Sequence, residues 1–184
     1  ALVSQIVSHI AFEQQKPVVF FSLEMSPEIL ARRMISGAAE IDSTRIRKGH
    51  LSAEEWKRLV HHQEYLTANF PVFIEPVRGI TAAAIRSRCR RLKSMHGDLG
   101  AIAIDFLQIM GGIGDKPVQQ LGVITRTLRD MAGELDVPVI LLSQLSRGPD
   151  NRTNKRPTMS DLRDSGSIEQ DSDTIAMLYR EDYY

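Results

Sequence analysis

Apolar side chains recur at helical spacing from the start of the chain: Leu2, Val3, Ile6, Val7, Ile10 and Ala11 predict an amphipathic helix over residues 1–15. Pro17 closes it. Val18 to Leu23 is then a nearly unbroken apolar run, the pattern of a strand buried on both faces of a parallel sheet. Ser26-Pro27-Glu28 restarts a helix that runs to about Gly37, because Ser26 suits the N-cap and Pro27 the first helical position. Ser52 and Glu55 have capping-box spacing at the head of another helix, whose Trp56, Leu59, Val60 and Leu66 are expected to face a core. Val72-Phe73-Ile74 predicts a short strand. Thr81 caps a helix with Ile85, Cys89 and Leu92 on one side and Arg86, Arg88, Arg90, Arg91 and Lys93 around the rest. Ala101 to Phe106 and Val139 to Leu142 predict two more buried strands. Between them lies a long helix carrying Val118, Leu121, Ile124, Leu128, Met131 and Leu135. Ser146 to Pro157 is a polar loop, and Thr174 to Tyr179 predicts a last strand.

Strands apolar along their whole length, alternating with amphipathic helices, predict an α/β fold with a mostly parallel sheet flanked by helices on both faces. At 184 residues and 42% hydrophobic content the chain can bury one substantial core, so a single domain over 1–184 is expected. The 23 basic and 23 acidic residues cancel, which argues against general coating of a polyanion and confines any nucleic-acid contact to a local patch. The one cysteine, Cys89, excludes an internal disulfide framework and a cysteine-rich zinc site. No apolar run approaches the roughly 20 residues that span a bilayer, and no signal-peptide pattern appears, so the expected location is cytoplasmic with no membrane partner. The chain opens at Ala1 without an initiator methionine and stops at Tyr183-Tyr184 after an apolar segment, so both ends read as interior cuts of a longer protein.

In open parallel sheets, ligands bind in the crevice at the carboxyl ends of the strands. Glu24, Asp105 and Gln144 fall at or just past three such ends. A carboxylate ending an apolar strand is costly to desolvate unless it meets a cation, a donor or water. One such residue alone reads equally well as a strand or turn cap; three at equivalent positions argue for a site. Nucleotide hydrolysis would use such a set in three ways: one carboxylate to hold Mg2+ through water, a second to orient or deprotonate the attacking water, and a neutral amide to sense loss of the γ-phosphate.

Four blocks in order resemble the DnaB family of replicative helicases. Phe20-Phe21-Ser22-Leu23-Glu24-Met25-Ser26 is similar to the strand end that follows the family's phosphate loop, and Ile104 to Met110 is similar to its Walker B strand. Leu142-Ser143-Gln144-Leu145-Ser146-Arg147 resembles its sensor segment. Arg156 to Asp173, which includes Ser160-Asp161-Leu162-Arg163-Asp164-Ser165-Gly166, resembles its DNA-contacting segment almost throughout. The resemblance implies a RecA-like fold and an ATP- and Mg2+-dependent motor that works as a homo-hexamer on single-stranded DNA, with primase and a helicase loader as partners. It further implies that Glu24 polarises the lytic water, that Asp105 holds Mg2+ through water, and that Gln144 links γ-phosphate state to the DNA loops. Arg33 matches a basic residue near the nucleotide, although an arginine on a helix surface fits the residues as well. Arg163, Asp164 and Gly166 match positions that touch the sugar–phosphate backbone. An arginine offers charge and directed donors there, and a glycine lets a backbone N–H approach a phosphate closely.

The phosphate loop G-x-x-x-x-G-K-[ST] does not occur in these residues. In the family it lies immediately before a helix resembling Ala1-Leu2-Val3, and the arginine finger lies beyond the position of Tyr184. The 184 residues alone are therefore expected not to hydrolyse ATP, and the whole protein is. Two rival readings are a RecA-like ring ATPase without unwinding activity, which would not need the Ser160–Asp173 block, and a non-enzymatic interaction module. The arginine-rich helix reads as a solvated or subunit-facing surface before it reads as a nucleic-acid patch. His61-His62 lacks metal-ligand spacing, Trp56 reads as a core or interface residue, and Lys116, after the glycines at 111–114, is a candidate DNA contact through the resemblance.

Overall fold

The computed structural model describes residues 2–69, 71–110, 117–146, 148, 152–162 and 166–183, with the side chains of 64–69, 117, 118 and 183 outside that description. The elements run α1 (Leu2–Glu13), β1 (Val18–Ser22), α2 (Pro27–Ala39), α3 (Ser43–Lys48), α4 (Ala53–Asn69), β2 (Val72–Glu75), α5 (Ala82–His96), β3 (Ala101–Asp105), α6 (Pro117–Leu135), β4 (Val139–Leu141) and α7 (Gly166–Asp171). The four strands form one sheet in the order β2-β1-β3-β4, and every pairing is parallel. The apolar runs thus became sheet interior, as their composition predicts.

Alternation along each strand divides the core in two. Val19 and Phe21 of β1 with Ile102 and Ile104 of β3 face α5 and α6, where Ile85, Cys89, Leu121, Leu128 and Met131 meet them. Val18 and Phe20 with Ala101 and Ala103 face α1 and α2, and pack on Val7, Ala11, Leu30 and Met34. Helices therefore cover both faces. Where α1 ends and β3 begins the backbones nearly touch: a methyl on Gly100 would lie 2.6 Å from Ile10 Cγ2 and 2.8 Å from Lys16 Cβ, while its N–H donates to Pro17 O at 2.7 Å. Burial leaves Cys89 an inert thiol, its pKa pushed up to about 12 by desolvation and by the charge of Glu75.

Local signals held where they were specific. The Ser52–Glu55 capping box forms in both directions, Ser52 N donating to Glu55 Oε2 at 2.7 Å and Glu55 N to Ser52 Oγ at 3.2 Å. Arg45 of α3, a short helix that the periodicity did not predict, grips the same carboxylate through both terminal nitrogens. Thr81 caps α5 by accepting from Ala84 N. Pro27 opens α2, although Ser26 caps it through its carbonyl and not its side chain.

Three expectations need correction. Trp56 and Val60 do not face a core; they are 49% and 44% exposed, while Leu59, among the described side chains of that helix, turns to the small cluster built by Ala39 and Ile41. The Leu66 side chain lies outside the described residues. On α1, Leu2 and Ile6 are likewise exposed, and the buried stripe is Ser4, Val7 and Ala11. Thr174 to Tyr179 is not a strand. It keeps a strand's alternation, with Ile175 and Met177 on the core and Leu178 outward, but makes no ladder. A cleft of about 620 Å3 at its start is lined by Val139 and Leu141 of β4, Leu128 of α6 and Asp171 to Thr174.

The short helix α7 lies against α6. Thr125 Oγ1 donates to Asp171 Oδ2 at 2.5 Å and Arg129 reaches Gln170 O at 3.4 Å. A side chain on Gly122 would come within 3.3 Å of Ser167 Cβ.

Candidate functional site

Because β1, β3 and β4 are parallel neighbours, their carboxyl ends share one rim. Ser22 of β1 sits opposite Asp105 of β3, and Leu23 N extends the ladder by donating to Asp105 O at 2.9 Å. Ser22 Oγ then donates to Met25 O at 2.7 Å, turning the chain so that Glu24 stands exposed at the strand's end. Asp105 is half-buried in the next strand, and the peptide joining it to Phe106 is cis. On the far side of β3, Leu142 N donates to Ile104 O at 3.0 Å and Leu107 N to Leu142 O at 2.9 Å, which brings exposed Gln144 to the same rim.

Burial raises the Asp105 carboxyl above the usual carboxylate range, and the negative charge of Glu24 raises it further; Arg33 pulls the other way. Arg33, on α2, reaches back so that Nη1 donates to Met25 Sδ at 3.2 Å. The structure thus brings together Glu24 from the exit of β1, Asp105 from the end of β3 and Arg33 from α2. Two carboxylates in mutual repulsion, one of them partly desolvated, form a hard oxygen donor set of the kind that fits a hydrated divalent cation. Among the described residues no cluster of three His, Cys, Asp or Glu side chains occurs, so these residues offer a carboxylate pair and not a closed metal cage.

Gln108 is a rim residue the pattern did not single out. Its Nε2 donates to Ser143 Oγ at 2.8 Å and to Gln144 O at 3.4 Å, while its Oε1 accepts from Gln144 N at 3.2 Å. It joins the exit of β3 to the exit of β4. The available signal was a lone amide inside the apolar stretch Ile104 to Met110.

Arg163, Asp164 and Lys116 lie outside the described residues. Gly166 opens α7, and among the described residues no contact within 4 Å of where its Cβ would be demands a glycine there. Three of the four arginines of α5 are held within the chain: Arg86 and Arg90 both pair with Glu134 of α6 and Arg88 pairs with Glu75 at 2.5 Å, while Lys93 donates to Leu135 O at 2.6 Å. His61 and His62 contact only edge to face, with ring centroids 5.6 Å apart. No described helix is long and apolar enough to cross a membrane.

The chain is 45% identical to the replicative DNA helicase DnaC of Bacillus subtilis (strain 168), the match covering 100% of this chain and 41% of that protein. It is 43% identical to the replicative DNA helicase DnaB of Geobacillus stearothermophilus, again over 100% of this chain and 41% of the relative. It therefore spans about two fifths of the length of these relatives. Among solved structures it is similar to a DnaB-like replicative helicase studied in its interactions with primase, with a TM-score of 0.89 and 34% identity over 98% of this chain and 45% of that one. A second solved structure, an ATPase domain, is similar with a TM-score of 0.87 and 36% identity over 94% of this chain and 62% of that one. These neighbours share the RecA-like α/β fold. The model of the DnaB-like helicase C-terminal domain matches residues 1–184, and the chain belongs to that family.

Proposed function

We propose that this chain forms the larger part of the ATP-hydrolysing motor of a replicative DNA helicase, acting at subunit interfaces of a homo-hexameric ring. The observation that carries the reading is the carboxylate pair at the ends of two adjacent parallel strands, with Glu24 raising the proton affinity of an already desolvated Asp105. Unpaired like charges are unfavourable in an empty site and become favourable when the ligand brings positive charge.

In this reading Asp105 holds Mg2+ through water. The cation, when bound with ATP, supplies positive charge to the β- and γ-phosphates. Glu24, exposed beside it, orients the attacking water and accepts its proton. Arg33 adds a positive charge on the nucleotide side. Gln144 reads the γ-phosphate, and its position is fixed by the amide clamp from Gln108. An arginine from the neighbouring subunit stabilises transition-state charge, so an isolated subunit turns over poorly. Arg163, Asp164 and the unobstructed backbone at Gly166 hold the phosphates of single-stranded DNA without reading sequence, which suits a translocating motor. The primase named with one structural relative, and a loader, are the expected protein partners, and the expected location is the cytoplasm.

The test is Glu24→Gln in the full-length protein. ATP binding persists, ATP turnover falls by about 10²–10⁴-fold, and displacement of a strand from forked DNA stops. Undiminished turnover in that variant removes Glu24 from the mechanism. A protein that hydrolyses ATP but never displaces a strand belongs to the non-unwinding ring ATPases.

A further inference from the structure

Asp161 lies outside the rim and is 4% exposed, yet a single oxygen of its carboxylate takes three hydrogen bonds. Its Oδ2 accepts from Arg152 Nη2 at 2.5 Å, from Thr158 N at 2.7 Å and from Thr158 Oγ1 at 2.9 Å. Arg152 also donates to Arg156 O at 3.2 Å, closing the polar loop on itself. A buried carboxylate is tolerated only when donors replace its water, and here a cation and two local donors do so. Burial would raise its pKa, but the Thr158 amide, the Arg152 guanidinium and the Thr158 hydroxyl together hold it below the usual range.

The backbone of the same residue has a second role. Ser146 N donates to Asp161 O at 2.7 Å, and Leu145 bridges Leu162 in antiparallel fashion. Leu145 and Leu162 both pack on the core below α6. Two consecutive residues leaving the Gln144 segment are therefore bonded to the two consecutive residues that precede Arg163. Without the carboxylate clamp this would be one short bridge at the edge of a long polar loop, free to slide. With the clamp, Arg152, Thr158 and Asp161 are bonded to one another, and the same segment is tied to the exit of β4 through Ser146 and Leu145. Gly148 marks how tightly it is pinned: a methyl there would stand 2.7 Å from Asp161 Oδ1.

We propose that Asp161 is the positioning residue that ties the Gln144 segment to the Thr158–Leu162 turn, the stretch that leads in sequence to the proposed DNA-holding residues, so that nucleotide state and DNA grip are coupled through it. The inference rests on the proposed function. At 4% exposure, with its carboxylate bonded inside the chain, Asp161 has almost no surface to offer a ligand; it acts by keeping the hydrogen-bonded pair of segments from slipping.

The experiment uses the full-length protein, with ATPase measured with and without single-stranded DNA and amide hydrogen exchange measured in parallel. Asp161→Asn keeps the side chain's shape and removes the charge that Arg152 needs. It leaves DNA-independent turnover unchanged, lowers DNA-stimulated turnover by about tenfold, a size usual for coupling between sites, and speeds exchange at Ser146 and Thr158 while β1 and β3 stay protected. Arg152→Gln does the same, and the double variant is no worse than either single one, as expected for partners in one interaction. Gly148→Ala, which presses on the carboxylate from outside, reproduces the uncoupling with Asp161 intact. The proposal is overturned if basal and stimulated rates fall in the same proportion, or if stimulation survives in Asp161→Asn. A parental protein that DNA does not stimulate overturns the motor reading instead; the tie is then judged by exchange alone, and an Asp161→Asn protein with Ser146 still protected overturns it too.

Discussion

The charges of α5 and those at the carboxyl rim of the sheet look alike in sequence and behave in opposite ways. On α5, Arg86 and Arg90 converge on Glu134, and Arg88 meets Glu75, so this charge is answered inside the chain. At the rim, Glu24 and Asp105 are neighbours of the same sign, and burial adds to the conflict. A satisfied cluster has no need of a ligand and serves to align two helices. A frustrated cluster is held in place by the fold around it and, beyond what Arg33 offsets, is relieved when a ligand of opposite charge arrives. The density of charge in the sequence does not distinguish the two; the pairing does.

Several substitutions would break or sharpen this contrast. The largest effect on stability is expected not from any charge but from Ile85, fully buried on the inner side of α5. Ile85→Ala should cost about 2–5 kcal/mol, measured by denaturant unfolding, because the helix is held by its apolar side and its ion pairs only align it. A loss smaller than that from removing the ion pairs would invert this view of α5. At the rim the sign reverses. The folded-state pKa of Asp105 lies above its unfolded value, so ionising it works against the fold. That penalty is absent below about pH 4, where the carboxyl is protonated in both states, and grows as the pH rises through the raised value. Asp105→Asn should therefore raise Tm at pH 7 in the presence of a chelator, lose the advantage as the pH approaches 4, and abolish turnover. A Tm that falls at pH 7 would mean the pair is not in conflict. The smallest effect belongs to Glu134→Gln: these pairs are largely solvent-screened, so Tm should drop less than for Ile85→Ala, and ATP turnover should not change. Lost turnover there would make α5 part of the site.

Reading the sequence worked best where one physical rule acts alone. An apolar run of β1 or β3 can be stable only inside a sheet, and the capping box at Ser52 is a purely local bond pattern. The rim was legible because strand ends announce themselves by a polar residue after an apolar run. Failures came where the outcome depends on what lies opposite. Trp56 and Val60 have helical spacing, but no described element covers that side of α4. Thr174 to Tyr179 has a strand's alternation without a strand to pair with. Gln108 and Asp161 carry no signal in the pattern because their importance lies in bonds to residues elsewhere along the chain, Gln144 in one case and Arg152 and Ser146 in the other. Periodicity carries no information about such partners.

The bare Cα of Gly122 has a consequence for the end of the molecule proposed to face DNA. With Ser167 only 3.3 Å from where a methyl would sit, α6 has a notch into which the first turn of α7 is lowered. That single absent carbon lets the first turn of α7 sit directly on the long helix, and an alanine there would require Ser167 to give by a few tenths of an ångström.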